Sequence, residues 1–349
     1  MGTITFLLVL SALVFFHELG HFSVARFLGV KVYDFSIGFG PKLFTKEFMG
    51  TKWSLSLFPL GGYVKMKGQE DLAPTKTNND KDSYNRLTPL QRIFILVAGP
   101  GANFVLAFIL YFIIAVSDHQ VLSATVGKVM PNSPAAKAGL MKNDKIIKIN
   151  DKQIVSWNDL GKVIKSTNQM LYITVKRDNK IKTLVMKAKL TDTQNMFKEH
   201  VKRKLIGIRP APVAITVSYG FLDGLNNAYE QTAQASKMIF KGVQKLISGV
   251  VPSSEVGGVI SIGKVISDAS ANGLLATLLI AALLSVNLGV LNLLPIPALD
   301  GGHIIFNLYE MITKRKPSDK VLIQLTIMGW IILLGLMILG VYNDINRFF

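Results

Sequence analysis

No cysteine occurs among the 349 residues. A disulfide framework and a thiolate metal site are therefore both excluded. Charge is scarce too: 17% of residues are charged, against about 25% in an ordinary soluble chain. Acids are the rarer sign, 22 against 39 Lys and Arg, which leaves a formal net charge of +17. No arginine-rich arm and no recognition motif gathers that excess, so nucleic acid is not expected as a partner. The bland reading is a lysine-rich surface in contact with anionic lipid. Internal repeats and low-complexity tracts are absent as well. What the chain has is apolar residues, half of the total. That excludes disorder and points to a membrane protein with a soluble insert, and the length allows two or three structural units.

A membrane span needs about 20 mostly apolar residues. Residues 93–116, 274–294 and 322–341 qualify cleanly, and the last two carry no charge. A fourth stretch, 4–24, is interrupted by His17, Glu18 and His21. It lacks a basic leader and a small-residue cleavage site, so it is expected to be a retained span and not a signal peptide. Residues 25–92 hold 11 Lys and Arg, and the 303–321 loop holds Lys314, Arg315, Lys316 and Lys320. The positive-inside rule puts both in the cytoplasm and both termini outside. Residues 117–273 hold 23 Lys and Arg, but long domains cross largely regardless of charge.

That middle region reads as soluble. Short β-rich runs at 125–129, 145–149, 172–176 and 183–187 are separated by turn clusters, with a helix at about 157–165. Residues 70–85 look like a polar loop, and 220–247 like an amphipathic helix returning to the membrane. The alternation of 53–58, a turn at 59–62 and a continuation through 63–66 predict a β-hairpin, one that dips into the membrane. The expected domains are 1–116 with two spans and the hairpin, 117–190 as the insert, 191–270 as linker and returning helix, and 271–349 with the last two spans.

His17-Glu18-Leu19-Gly20-His21 is an HExxH motif inside an apolar helix. Positions i and i+4 share one helix face, so both imidazoles can reach one ion. A catalytic zinc takes three protein ligands and leaves a position for water. Glu18 lies beside that water as general base and then acid. Each ionisable group at membrane depth costs about 2.5–3.5 kcal/mol on insertion scales, so three together need a purpose. The third ligand is expected to be Asp300, after the third span in Asn292-Leu-Leu-Pro-Ile-Pro-Ala-Leu-Asp300-Gly301-Gly302-His303. Pro295 and Pro297 must break the helix, and broken backbone at that depth belongs in a protein interior or a wet cavity. His303 is the competing ligand, while His119 and His200 fall in the region expected outside the membrane, far from the first span in sequence. Asn103 and Asn292, read as lying near span ends, either bond a substrate backbone or tie helices together.

These residues carry a resemblance. HELGH, Gly61-Gly62-Tyr63-Val64-Lys65-Met66, Gly99-Pro100-Gly101-Ala102-Asn103-Phe104 and the Asn292–Gly302 run resemble, in order, the site-2 protease family of intramembrane zinc metalloproteases, M50, in its bacterial sigma E-regulating branch. The resemblance implies zinc on His17, His21 and Asp300, with Glu18 as the catalytic acid/base. It implies a multi-pass protein of the bacterial inner membrane whose site faces the cytoplasm. Its substrates would be pre-trimmed single-span proteins such as anti-sigma factors, or signal-peptide remnants. Residues 125–188 resemble a PDZ domain through Val126-Gly127-Lys128-Val129, Ser133-Pro134-Ala135, Ala138-Gly139-Leu140 and Asp144-Lys145-Ile146-Ile147. Asn143 stands where that pattern has Gly, and one such domain is present where the best-known family members have two. The expected fold is thus an α-helical polytopic membrane protein, four transmembrane helices and a re-entrant β-hairpin, with an inserted α+β PDZ-like domain outside the cytoplasm. A zinc transporter would need further intramembrane polar groups and pseudo-repeats. An adaptor with a dead metal site would lack one of the four site residues, and all four are present.

Overall fold

The computed structural model describes residues 2–69, 80–195, 197 and 199–349. The chain runs α1 (Gly2–Phe27), β1 (Val32–Phe48), β2 (Thr51–Met66) and α2 (Pro89–Val116). There follow β3 (His119–Leu122), β4 (Val126–Val129), α3 (Pro134–Lys137), β5 (Lys145–Ile149), β6 (Lys152–Gln153) and α4 (Trp157–Ser166). The strands β7 (Leu171–Arg177), β8 (Lys180–Met186), β9 (Lys189–Gln194), β10 (His200–Leu205), β11 (Ile208–Pro210) and β12 (Ala214–Val217) come next. The chain ends with α5 (Phe221–Ile247), α6 (Val259–Ala271), α7 (Leu274–Asn292), α8 (Asp300–Thr313) and α9 (Asp319–Phe348). Two compact units result, Met1–Ile114 with Phe221–Phe349, and Ala115–Gly220.

In the first unit, α1, α2, α7 and α9 are long and apolar enough to cross a membrane. Many of their apolar side chains face outward, among them Ile109, Trp330, Ile331 and Ile338, as expected where the surroundings are lipid and not water. Inward packing uses small residues. Ala228 and Ala235, seven apart on α5, pack in one cluster with Ala107 and Tyr111 of α2 and Ala282 and Val286 of α7. Small side chains let helix backbones approach where no hydrophobic force drives them together. Arg92 on α2 and Glu310 on α8 form a half-buried ion pair of 2.8 Å.

The β element carries the expected reversal and adds strand pairings to it. A tight turn lies at Met49–Gly50, both with left-handed φ, and a second reversal falls inside β2, between 55 and 62. Residues 34–37 of β1 pair with 62–65 on one side and 52–55 on the other, while 44–48 pair with 51–55. The 52–55 segment therefore runs parallel to 34–37 and the 62–65 segment antiparallel to it, so the chain reverses across 56–61, where the Pro-Leu-Gly-Gly signal stands, with 34–37 lying between the two arms. Residues 80–86 end in a short 3₁₀ turn at Tyr84–Arg86, and the rest of the expected 70–85 loop lies outside the described residues. The expected 303–321 loop is corrected: α8 runs to Thr313, and only 314–318 connect it to α9.

The second unit is built around a four-stranded sheet in the order β6-β5-β7-β8. Leu171, Ile173 and Val175 alternate inward along β7 and meet Ile146 and Ile149 of β5. The amphipathic α4 lays Leu160, Val163 and Ile164 on that core. A reciprocal capping box fixes its start: the Asp159 amide donates to Ser156 Oγ (3.2 Å), and the Ser156 amide to Asp159 Oδ2 (2.9 Å). Each bond satisfies a backbone donor that the first turn leaves open. Asn143 has a left-handed φ of 68°, the conformation for which Asn stands in for Gly.

Candidate metal centre and active site

The centre starts on one face of α1. His17 and His21 stand one turn apart with their Nε2 atoms 3.2 Å from each other. Asp300, the first residue of α8, reaches the same point: its Oδ2 is 3.4 Å from each Nε2. Asp300 gets there because the helix stops at Asn292 and restarts at Asp300, with two prolines between. The three side chains are the one group of its kind among the described residues. Glu18 and His21 are buried, and Asp300 Oδ2 is buried without a hydrogen-bond partner. An orphaned carboxylate oxygen aimed at two imidazole nitrogens is expensive unless a cation joins them. Tetrahedral zinc with bonds of about 2.0–2.1 Å sets its ligands about 3.3–3.4 Å apart. The observed triangle of 3.2, 3.4 and 3.4 Å fits that spacing.

The packing of α1 on α2 holds the rings. His21 Nδ1 lies 2.8 Å from the Ile95 carbonyl oxygen and donates to it. A backbone carbonyl accepts only, so His21 keeps its Nε2 lone pair for the centre. His17 Nδ1 lies 3.0 Å from Asn103 Nδ2. Gly99 faces the ring of His21: a Cβ there would sit 2.2 Å from Nε2. Ile95, Gly99, Ala102 and Asn103 recur at helical spacing and so share one face of α2.

Asn103 therefore corrects an expectation. It sits mid-helix and fully buried, not near a span end. Asn292 does close α7. His303 lies within the first turn of α8 and outside the cluster. In the second unit, His119 is held by the Ser117 carbonyl and stacks on Tyr219, and His200 pairs with Asp192. Sequence reading missed the roles of Ile95 and Gly99. The small-residue spacing Gly99–Ala102 was the available signal for a close helix approach.

Peptidase family M50 matches residues 5–336 of this chain. The chain belongs to peptidase family M50. Family M50 relatives align along nearly the whole length. A Campylobacter jejuni protein that bears the provisional name of zinc metalloprotease is 46% identical, over 97% of this chain and 92% of its own. A similarly named Helicobacter pylori protein (strain J99) is 38% identical, over 97% and 98%. The metalloprotease MmpA of Caulobacter vibrioides is 35% identical, over 99% and 95%. With four apolar helices of spanning length, this M50 peptidase is a multi-pass membrane protein.

Proposed function

We propose that this zinc metalloendopeptidase cuts peptide bonds within the membrane-spanning segments of single-span proteins already trimmed outside the membrane. The observation that carries this reading is the convergence of His17, His21 and Asp300 beside buried Glu18, on a helix apolar enough to span. His17, His21 and Asp300 would hold the zinc, which when bound supplies Lewis acidity toward a water and the scissile carbonyl. Glu18 is the catalytic acid/base. Its carboxylate takes a proton from the attacking water and returns it to the departing amide nitrogen.

A helical substrate hides its carbonyls and must open locally before it is cut. Residues 62–66 of β2 offer the means: they pair with 32–37 on one side and with no strand on the other, among the described residues. The edge passes the acid, since a Cβ on Gly62 would lie 3.0 Å from Glu18 Cγ. Main-chain pairing along that edge would hold an opened segment beside Glu18. This supports reading β1 and β2 as the re-entrant element.

The second unit supports the PDZ-like reading. Its groove of about 580 Å³ runs between α4 and the segment from Leu205 to Ile208, with Trp157, Leu160 and Ile206 as apolar lining and Lys165 and Arg209 at hand for a chain-end carboxylate. Such a module suits selection of substrates by a freshly cut terminus. We place the protein in a bacterial inner membrane, with residues 25–92 cytoplasmic and the PDZ-like unit outside. Anti-sigma factors and signal-peptide remnants are the substrate types. The test is co-expression with a panel of truncated single-span proteins. Release of a fragment by the wild type, and its loss by about 10²–10⁴-fold in Glu18→Gln with zinc retained, is the expected outcome. Equal release by both sinks the assignment of Glu18.

A further inference from the structure

The two histidines of the centre do not meet equivalent partners. Each Nε2 can ligate a metal only if the ring proton sits on Nδ1, and the group facing Nδ1 decides this. For His21 the decision is made by the Ile95 carbonyl, 2.8 Å away. For His17 it falls to Asn103, whose Nδ2 is 3.0 Å from Nδ1. In that orientation the amide donates, Nδ1 accepts, and the proton of His17 is left on Nε2, inside the triangle. The same orientation leaves Asn103 Oδ1 buried and partnerless. The oxygen and nitrogen of a carboxamide are nearly the same size, and the surrounding network decides which way they point. Either way round, one end of this amide lacks a protein partner, so the needs of the ligand set choose.

The residue is otherwise fixed. Asn103 is fully buried, and its backbone carbonyl accepts from Ser285 Oγ of α7 at 2.8 Å. That bond ties this turn of α2 to the helix that leads into the Asp300 segment, so turning the amide moves nothing else.

We propose that Asn103 presents its carbonyl oxygen to His17 Nδ1–H and is the positioning residue that sets the His17 tautomer for metal binding. This rests on the reading of His17, His21 and Asp300 as zinc ligands. The full-length protein, purified in detergent, is titrated with zinc against a chromogenic chelator, alongside Asn103→Leu and Asn103→Asp. Leucine keeps the shape and removes the acceptor, and zinc affinity should fall by about 10–100-fold, the usual cost of losing a ligand's hydrogen-bond partner. Aspartate keeps the acceptor, and affinity should match or exceed that of the wild type. The visible absorption of the cobalt-loaded protein should be shared by wild type and Asn103→Asp and altered in Asn103→Leu. Wild-type affinity in Asn103→Leu overturns the proposal. So does equal loss in Asn103→Asp, which would make Asn103 a packing residue. Failure of the wild type to bind zinc overturns the metal reading itself, and the proposal with it.

Discussion

At the scale of single residues, the centre depends on three side chains and on one position that has none. Asp300→Asn replaces an oxygen aimed at two imidazole nitrogens 3.4 Å away with a neutral amide. We expect zinc content per purified chain to drop well below one, read by elemental analysis; an unchanged content would move the third ligand elsewhere. Gly99→Ala is the sharper case. In a helix interior, alanine is favoured over glycine by about 1 kcal/mol, so propensity alone predicts a more stable protein. The added methyl would sit 2.2 Å from His21 Nε2, so the imidazole must leave its place. The expected result is lost zinc with little change in thermal unfolding. Unimpaired zinc binding would show that α1 and α2 can separate to make room. The clustering of His17 and His21 with Asp300 was legible in the sequence because such groups are costly at membrane depth. Gly99, Ile95 and Asn103 were not, because a missing side chain, a backbone carbonyl and an amide act only through what α2 lies against.

At the scale of elements, the spans and the amphipathic helix were legible from hydrophobic pattern, since a continuous apolar run leaves few alternatives. The strands of the second unit were partly legible: β5 was found as it stands, while β9, β10 and β12 were missed. The first two are polar and mostly exposed, so they carry little alternation to detect, and β12 is only 4 residues long. The reversal at 59–62 was legible from its Pro and Gly, but not that 34–37 would lie between its two arms, because that pairing is set by residues distant in sequence. Within the second unit, Asp144 is the element-scale lever. Its fully buried carboxylate receives Arg177 Nε and Nη2, both at 2.6 Å, and the Met141 amide at 2.8 Å, joining the turn before β5 to the end of β7. Burial pushes its pKa up, but these donors outweigh burial and hold it below the ordinary value of 3.8. A lowered folded-state pKa means the stabilisation is full above the ordinary range and disappears as the pH falls through the folded value. We expect Asp144→Asn to weaken the unit by about 3 kcal/mol. Hydrogen exchange in residues 139–149 and 171–177 of the full-length protein reads it, and the variant should also be less acid-sensitive there than the wild type. Unchanged protection at neutral pH would refute the role.

At the scale of the whole molecule, the absence of cysteine makes orientation directly testable, since any introduced thiol is the sole one. A cysteine at Asn179, in the β7–β8 turn, should react with an impermeant maleimide on intact cells. One at Lys316, between α8 and α9, should react only after the membrane is opened. The reverse pattern would invert the proposed topology. The centre itself also has a consequence for biosynthesis. Its proposed ligands stand at positions 17, 21 and 300, so the nascent polypeptide would carry two thirds of a metal grip through most of its translation. At about 5–20 residues per second, on the order of 15–60 s separate the histidines from their aspartate. On that ligand set, the half-made enzyme cannot complete its metal site until the Asp300 segment has been synthesised.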